Sequence, residues 1–244
     1  MNGSIHMTAK SAFLTAEWRK LAIANYSIDA DLLKPFLPHH TELDIREDRC
    51  YVSLVGFMFL DTRLRSIKIP LHSNFEEVNL RFYVRYKENG IWKRGVTFIK
   101  EIVPKRMLSF VANTLYKEKY ETLPMSHSWI TNEPFIEVEY KWKKQTWNSF
   151  KIKAEASETP VNINSEEDFI TEHYWGYTRV NKLLTSEYGV EHPRWNVHKV
   201  IDYKIDVDFG KVYGNTFSFL SNEIPCSVML AEGSKIIVRS GSRI

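Results

Sequence analysis

The chain has little cysteine, little glycine, no long apolar run and no surplus of one charge, and each shortage removes a class of protein. Only Cys50 and Cys226 are present among 244 residues, far apart and each beside apolar neighbours. That excludes a disulfide framework and a Cys-x-x-Cys redox pair, and predicts reduced core thiols in a cytoplasmic protein. The longest apolar stretch, Tyr51 to Leu60, is about half of what a spanning helix needs, so no membrane segment is expected. The balance of 33 basic and 30 acidic side chains leaves a net charge of +3, too even for a dedicated nucleic-acid binder. Glycine-rich phosphate loops, a Gly-x-Ser-x-Gly elbow and a dinucleotide fingerprint are all missing. His72, His127, His173, His192 and His198 form no helical His-x-x-x-His pair and have no cysteine at metal spacing, so no metal and no cofactor is expected.

What is present is alternation. Val78, Leu80, Phe82, Val84 and Tyr86 alternate with Glu77, Asn79, Arg81, Tyr83 and Arg85. Ile136 to Trp142 and Phe150 to Ala154 alternate in the same way, flanking a predicted hairpin turn from Lys144 to Asn148. Further strands are expected near 18–26, 49–60, 91–101, 197–209 and 226–239. Such alternation predicts a mainly antiparallel β protein with one solvated sheet face. Helices are few. Asp29 is placed to cap a short turn before Pro35. Pro104 is placed to open a helix with Leu108, Val111, Ala112 and Leu115 on one face. Ser165 with Asp168 resembles a capping box for a helix carrying Phe169, Ile170, His173 and Tyr174. The stretch from Glu155 to Ser165 is the only candidate linker and is short, so residues 8–244 are read as one domain. Residues 1–7 read as a disordered leader and not as a secretion signal, with Met7 as the natural start.

Lys105 and Arg106 follow Glu101-Ile-Val-Pro104 directly after a predicted strand. A lysine amine attacks a carbonyl only when deprotonated. A neighbouring cation, a helix start and apolar burial each disfavour its ammonium form. Arg106, the expected helix and the residues Phe98, Ile102 and Met107 are placed to supply all three; the plainer reading is a solvated basic pair at a turn. Glu77, Asn79, Arg81 and Arg85 share one strand face, either a solvated stripe or a cavity lining. Lys141, Trp142, Lys143, Lys144, Trp147, Lys151 and Lys153 cluster on the hairpin, where a solvated face outweighs a single-strand binding site.

Glu101 with Pro104-Lys105-Arg106 resembles the element of acetoacetate decarboxylases in which one lysine forms a Schiff base and a second cation depresses its pKa. Trp18-Arg19 through Glu42-Leu43-Asp44 is similar to that family's opening strand and turn, which puts Arg19 at its active-site arginine. Phe75-Glu76-Glu77 resembles its aromatic-x-Glu element, which puts Glu77 at the catalytic carboxylate. Three differences stand against this. The spacing from Glu101 to the basic pair is shorter, the second lysine is Arg106, and the strand from Cys50 to Leu60 lacks an acid. A broader likeness, to the uncharacterised YqjF-like family of the same fold, rests on Leu37-Pro38, the run Phe75 to Val84, Glu172-His-Tyr174, Tyr177 and His192-Pro-Arg-Trp195.

The resemblance implies a mainly β (α+β) fold, an antiparallel β barrel or cone of the acetoacetate decarboxylase-like type with a few short helices. It implies a small-molecule cavity with Lys105, Arg106, Glu77 and Glu101 as catalytic groups and Arg19, Asn79 and Arg81 binding the substrate. The enzyme so implied is a Schiff-base lyase for a small keto acid or other carbonyl compound. The alternative is a non-catalytic metabolite-binding protein of the same fold, and nucleic-acid or protein binding through the lysine hairpin ranks below both. The expected partner is a small-molecule ligand, with neither nucleic acid nor membrane; sheet edges could pair copies into a homo-oligomer, but no residue specifies it.

Overall fold

The computed structural model describes residues 11–68, 70–104 and 119–244. Its strands in chain order are β1 Ala12–Ile28, β2 Glu42–Leu43, β3 Cys50–Leu64, β4 Ile67–Lys68, β5 Phe75–Glu88 and β6 Ile91–Val103. They continue with β7 Tyr120–Thr122, β8 Met125–Asn132, β9 Phe135–Lys143, β10 Trp147–Pro160 and β11 Trp175–Asn181. The last are β12 Leu184–Glu191, β13 Asn196–Asp206, β14 Ser227–Arg239 and β15 Ser242–Arg243. The five further strands expected from the sequence fall on β1, β3, β6, β13 and β14. The expected linker is instead the end of β10, which runs on to Pro160.

Seven strands form a ring in the order β12-β11-β6-β5-β3-β1-β14, closed where β12 pairs with β14 at Val190–Val238 and Glu191–Ile237. Pairing is antiparallel throughout the ring except for the short β6–β11 contact. The ring fits a cone. From β14 the sheet continues through β13, β10, β9 and β8. This arm packs back on the ring: the Tyr140 ring of β9 lies where a side chain on Gly56 of β3 would sit, and its hydroxyl donates to the Lys20 carbonyl at 2.8 Å.

Two apolar clusters follow from this arrangement. One, with Val78, Leu80, Phe82, Tyr140, Trp142 and Phe150, lies between ring and arm. The other, with Leu21, Phe57, Phe59, Phe75, Tyr83 and Trp195, draws on β1, β3, β5, β6, β12 and β14 and lines the inside of the ring. Strand β3 is buried from Cys50 to Phe59 on both faces, which is why its sequence there is apolar apart from Ser53, whose hydroxyl is bonded to Asn25 and Tyr83. Of the two readings open for the polar face of β5, the burial favours the cavity lining: Glu77, Asn79 and Arg81 are 3%, 1% and 8% exposed, because that face points into the ring.

The helices are short. Asp29 caps Ala30–Leu33 by accepting from the Asp31 amide, as its sequence position suggested. Ser165 Oγ caps Glu166–Thr171 by accepting from the Asp168 amide, while the Asp168 carboxylate reaches back to the Asn164 amide. That helix ends at Thr171, short of His173 and Tyr174, which the sequence pattern assigns to it. Cys50 is buried, but Cys226 is exposed at the entry to β14, so only one of the two thiols belongs to the core. The helix expected after Pro104 lies outside the described residues, as do residues 1–10. No helix among the described residues is long and apolar enough to cross a membrane.

Candidate functional site

The inner face of β5 is set by its period of two, which turns Glu77, Asn79 and Arg81 to one side. Strand β6 lies antiparallel beside it with Glu101 opposite Asn79. A bulge after this point skips Ile99 and sets Phe98 opposite Arg81. Ile99 then joins the outer cluster, and Phe98 packs against the inner one. Strand β7 continues the row in parallel, with Tyr120 beside Glu101. Glu77 is fixed at both oxygens: Asn79 Nδ2 donates to Oε1 at 3.0 Å and the Tyr120 hydroxyl to Oε2 at 3.2 Å. Glu101, 2% exposed, anchors this end through its amide, which donates to the Lys119 carbonyl.

Further along β5 the charge changes sign. Arg81 makes no ion pair among the described residues, its Nε finds no acceptor there, and its guanidinium lies 5.7 Å from the centre of the Tyr83 ring. An unpaired charge is costly to bury. Next to it stands His173, its ring tilted against Tyr83 at 4.7 Å and edged by Phe169 at 5.2 Å. Asp44 is positioned by its amide, which donates to the Tyr83 carbonyl, and its Oδ2 accepts from Arg94 Nε at 2.6 Å. The same oxygen lies 3.0 Å from His173 Nε2.

Burial pushes His173 down to about 4, outweighing the pull of Asp44, and the cations Arg94 and Arg81 act in the same direction. Burial alone would raise the Asp44 carboxyl, but the bonds from His173 and Arg94 hold it below the ordinary carboxylate value. At neutral pH the pair is therefore carboxylate and neutral imidazole. A carboxylate only accepts, so the imidazole proton sits on Nε2 and the lone pair on Nδ1. That Nδ1 is buried and has no donor among the described residues.

Glu77, Asn79, Arg81, Glu101, Tyr120 and His173 line one cavity of about 170 Å³. Apart from Thr62 and His72, the rest of its wall is apolar or aromatic, including Trp18, Phe57, Phe59, Phe75, Phe98 and Trp175. Trp18 Nε1, Thr62 Oγ1 and Asn79 Oδ1, all on residues of this wall, also lack partners among the described residues. An apolar pocket with a few convergent polar groups is the usual form of a small-molecule site.

Of the residues singled out from the sequence, Glu77, Asn79, Arg81 and Glu101 come together here. Arg19 does not. Strand β1 turns Trp18 into the cavity and its neighbour Arg19 away, where it meets Glu17 at 2.8 Å and Glu232 at 3.7 Å. Arg85 is also elsewhere, paired with Glu42 over the Trp92 ring. Lys105 and Arg106 lie outside the described residues. The hairpin lysines are largely matched by carboxylates: Lys141 by Glu139, Lys151 by Glu137 and Lys144 by Glu121. Sequence reasoning missed Asp44, Tyr120 and the buried state of His173. The Glu172-His-Tyr174 likeness was the one signal for the histidine, and nothing local linked it to Asp44, 129 residues away.

A separate group, Glu158, His198 and Glu232, brings three possible metal ligands within 4.8 Å of one another. Lys20 already bonds the same Glu232 oxygen that His198 faces, so the cluster has its positive charge from the chain itself.

Residues 15–235 match DUF2071, described as an uncharacterised conserved protein. The chain belongs to this family. A relative in Bacillus subtilis (strain 168), the uncharacterised protein YqjF, is 26% identical over 181 residues, covering 73% of this chain and 72% of that one. Among solved structures, the acetoacetate decarboxylase of Legionella pneumophila superposes with a TM-score of 0.63 at 11% identity, covering 100% of this chain and 94% of its own. The enduracididine biosynthesis enzyme MppR, complexed with the condensation product of pyruvate and imidazole 4-carboxaldehyde, gives 0.66 at 10% identity, with coverage of 100% and 96%. At such identities the likeness is one of fold, and the fold of this DUF2071 protein is acetoacetate decarboxylase-like.

Proposed function

We propose that this DUF2071 protein binds a small carboxylate with an apolar body and a carbonyl group, and acts on it through a Schiff base at Lys105. The observation that carries the reading is one apolar cavity holding two buried carboxylates, Glu77 and Glu101, together with the guanidinium of Arg81, which has no ion pair among the described residues. A buried unpaired cation gains most from an anionic ligand, because the low-dielectric wall strengthens the pair. Arg81 thus takes the carboxylate-binding role that the family resemblance gave to Arg19. Asn79 offers its carbonyl oxygen as an acceptor.

Lys105 enters from the sequence, two residues beyond the last residue of β6 and four beyond Glu101. Its neutral amine adds to the ligand carbonyl carbon. The amine gives up two protons, the oxygen leaves with them as water, and a C=N bond remains. Arg106 disfavours the ammonium form of that amine, and Glu77 or Glu101 carries the protons. The neighbour solved with a pyruvate condensation product supports carbonyl chemistry in this fold.

Borohydride reduction with a panel of small keto acids and aldehydes, followed by peptide mass analysis, tests the reading. A stable adduct on Lys105, absent from Lys105→Ala, is the expected result. Equal modification of all lysines, or of none, overturns it. A second reading, a non-catalytic binding protein, draws on β3, which lends the cavity Phe57, Phe59, Thr62 and Leu64 but no acid. It predicts ligand-induced thermal stabilisation that Lys105→Ala leaves unchanged.

A further inference from the structure

The wall of the cavity carries a group that the Schiff-base reading does not use. His173 is 8% exposed, its Nε2–H is committed to Asp44, and its Nδ1 lone pair is buried without a donor among the described residues. A histidine serving only as core filling would have that acceptor satisfied, since a buried acceptor without a partner is a net cost. Here the carboxylate, held in turn by Arg94 at 2.6 Å, fixes the ring's tautomer and orientation. It also waits beside the nitrogen that would carry positive charge once Nδ1 takes a proton. Carboxylate, imidazole and a lone pair without a donor among the described residues, on a residue of the cavity wall, together form a general base lacking only its proton source.

We propose that His173, oriented by Asp44, is the general base of this cavity and removes a proton from the carbon next to the ligand's carbonyl. The proposal rests on the carbonyl-ligand reading above. In the step, the Schiff-base nitrogen first takes a proton from the carboxyl of Glu77 or Glu101 to become an iminium; the C–H bond then breaks and its proton goes to Nδ1. Its electron pair becomes the C=C bond of an enamine, while the iminium nitrogen takes the electrons of the C=N bond. The resulting imidazolium faces Asp44. The cavity of about 170 Å³ is lined by both the Asn79–Glu101 row and His173, so a ligand that fills it meets both.

The inference also separates reaction types. Decarboxylation releases carbon dioxide and afterwards needs a proton donor at carbon, not a base. Enamine formation from an unactivated C–H bond does need a base. The site therefore favours aldol-type or dehydration chemistry over decarboxylation.

The test is deuterium exchange at carbon, followed by proton NMR, with the full chain in D₂O and with pyruvate, 2-oxobutyrate and levulinate as probes. Borohydride trapping runs in parallel. The wild-type chain is expected to exchange the protons next to the carbonyl. His173→Ala is expected to lose that exchange by at least about 100-fold, to keep the trapped Lys105 adduct, and to regain part of the exchange when imidazole is added. A merely structural histidine would give no imidazole rescue. Should the alanine chain fail to fold, His173→Asn is read the same way, since its amide can still donate to Asp44 but has no basic lone pair.

Exchange in His173→Ala within about threefold of wild type overturns the proposal, as does a wild-type chain that forms the Lys105 adduct without exchanging. Exchange that depends on His173 while no lysine is trapped keeps the base and removes the Schiff base. Neither exchange nor trapping removes both.

Discussion

Replacing Arg81 with methionine should stabilise the ligand-free protein and abolish its response to carboxylates. The guanidinium is 8% exposed, has no carboxylate within ion-pair distance among the described residues, and leaves Nε without an acceptor. Methionine keeps most of the aliphatic stem in place and removes the desolvated charge. Exchanging buried ionic groups for packed apolar ones is often neutral or stabilising by about 1–4 kcal/mol, and a cavity-wall position belongs at the low end, about 1 kcal/mol. For a chain of 244 residues, an unfolding entropy near 0.5 kcal/mol/K makes that about 2 °C in Tm. Ligand reverses the order. A carboxylate at 100 times its Kd adds about 2.7 kcal/mol to wild type, and Arg81→Met should gain almost none of it. Urea unfolding with and without ligand, read at unchanged slope, gives both numbers. A ligand-free Arg81→Met destabilised by more than about 2 kcal/mol would make Arg81 a structural tie and refute the argument.

Two further outcomes follow from buried groups. His173 and His192 are both pushed by burial down to about 4 from an ordinary 6.5. The unfolded chain therefore binds more protons between those values, and stability should fall as pH drops from about 6.5 to about 4. Urea midpoints over that range should decline, with proton uptake on unfolding approaching two per molecule; a flat profile from pH 7 to 5 would count against neutral burial. Gly233 has a φ of 82°, and a Cβ there would lie 2.0 Å from the Trp18 carbonyl oxygen. Gly233→Ala should cost at least about 3 kcal/mol by urea unfolding, or prevent folding, because β14 can no longer approach β1 beside the cavity.

The sequence carried the fold further than the site. Period-two alternation on β5, β9 and β10 and the apolar run of β3 were enough to call an antiparallel β protein, and short motifs placed it among decarboxylase-like folds. Alternation reports that two faces differ, but not which medium each one meets. On β9 and β10 the polar face is half-exposed, while on β5 the equivalent face is buried inside the ring. Only the closure through Val190–Val238, between residues 48 apart in sequence, decides that difference. Arg19 failed for a local reason: Lys20, next to it, has a φ of 53°, and the pairing of β1 with β3 shifts between Arg19 and Ala22. Motif order survives such a bulge, but the direction of a side chain relative to the sheet does not.

The residues that make the chain resemble its relatives divide by what they touch. Glu77, Asn79 and Arg81 face the cavity, whereas His192-Pro193-Arg194-Trp195 stands behind it. His192 stacks between Tyr174 at 4.7 Å and Trp195 at 4.2 Å. Arg194 bridges Asp168 at 2.5 Å and Glu172 at 3.3 Å. Tyr174 donates to that same Glu172 carboxylate at 2.6 Å. Each of these ties holds the residues immediately before and after His173, beyond the end of a six-residue helix too short to fix them by itself. A short helix, a stacked imidazole and a bridging guanidinium converge on this one corner of the fold. They are what a base needs if its ring must keep one nitrogen on Asp44 and the other toward a ligand.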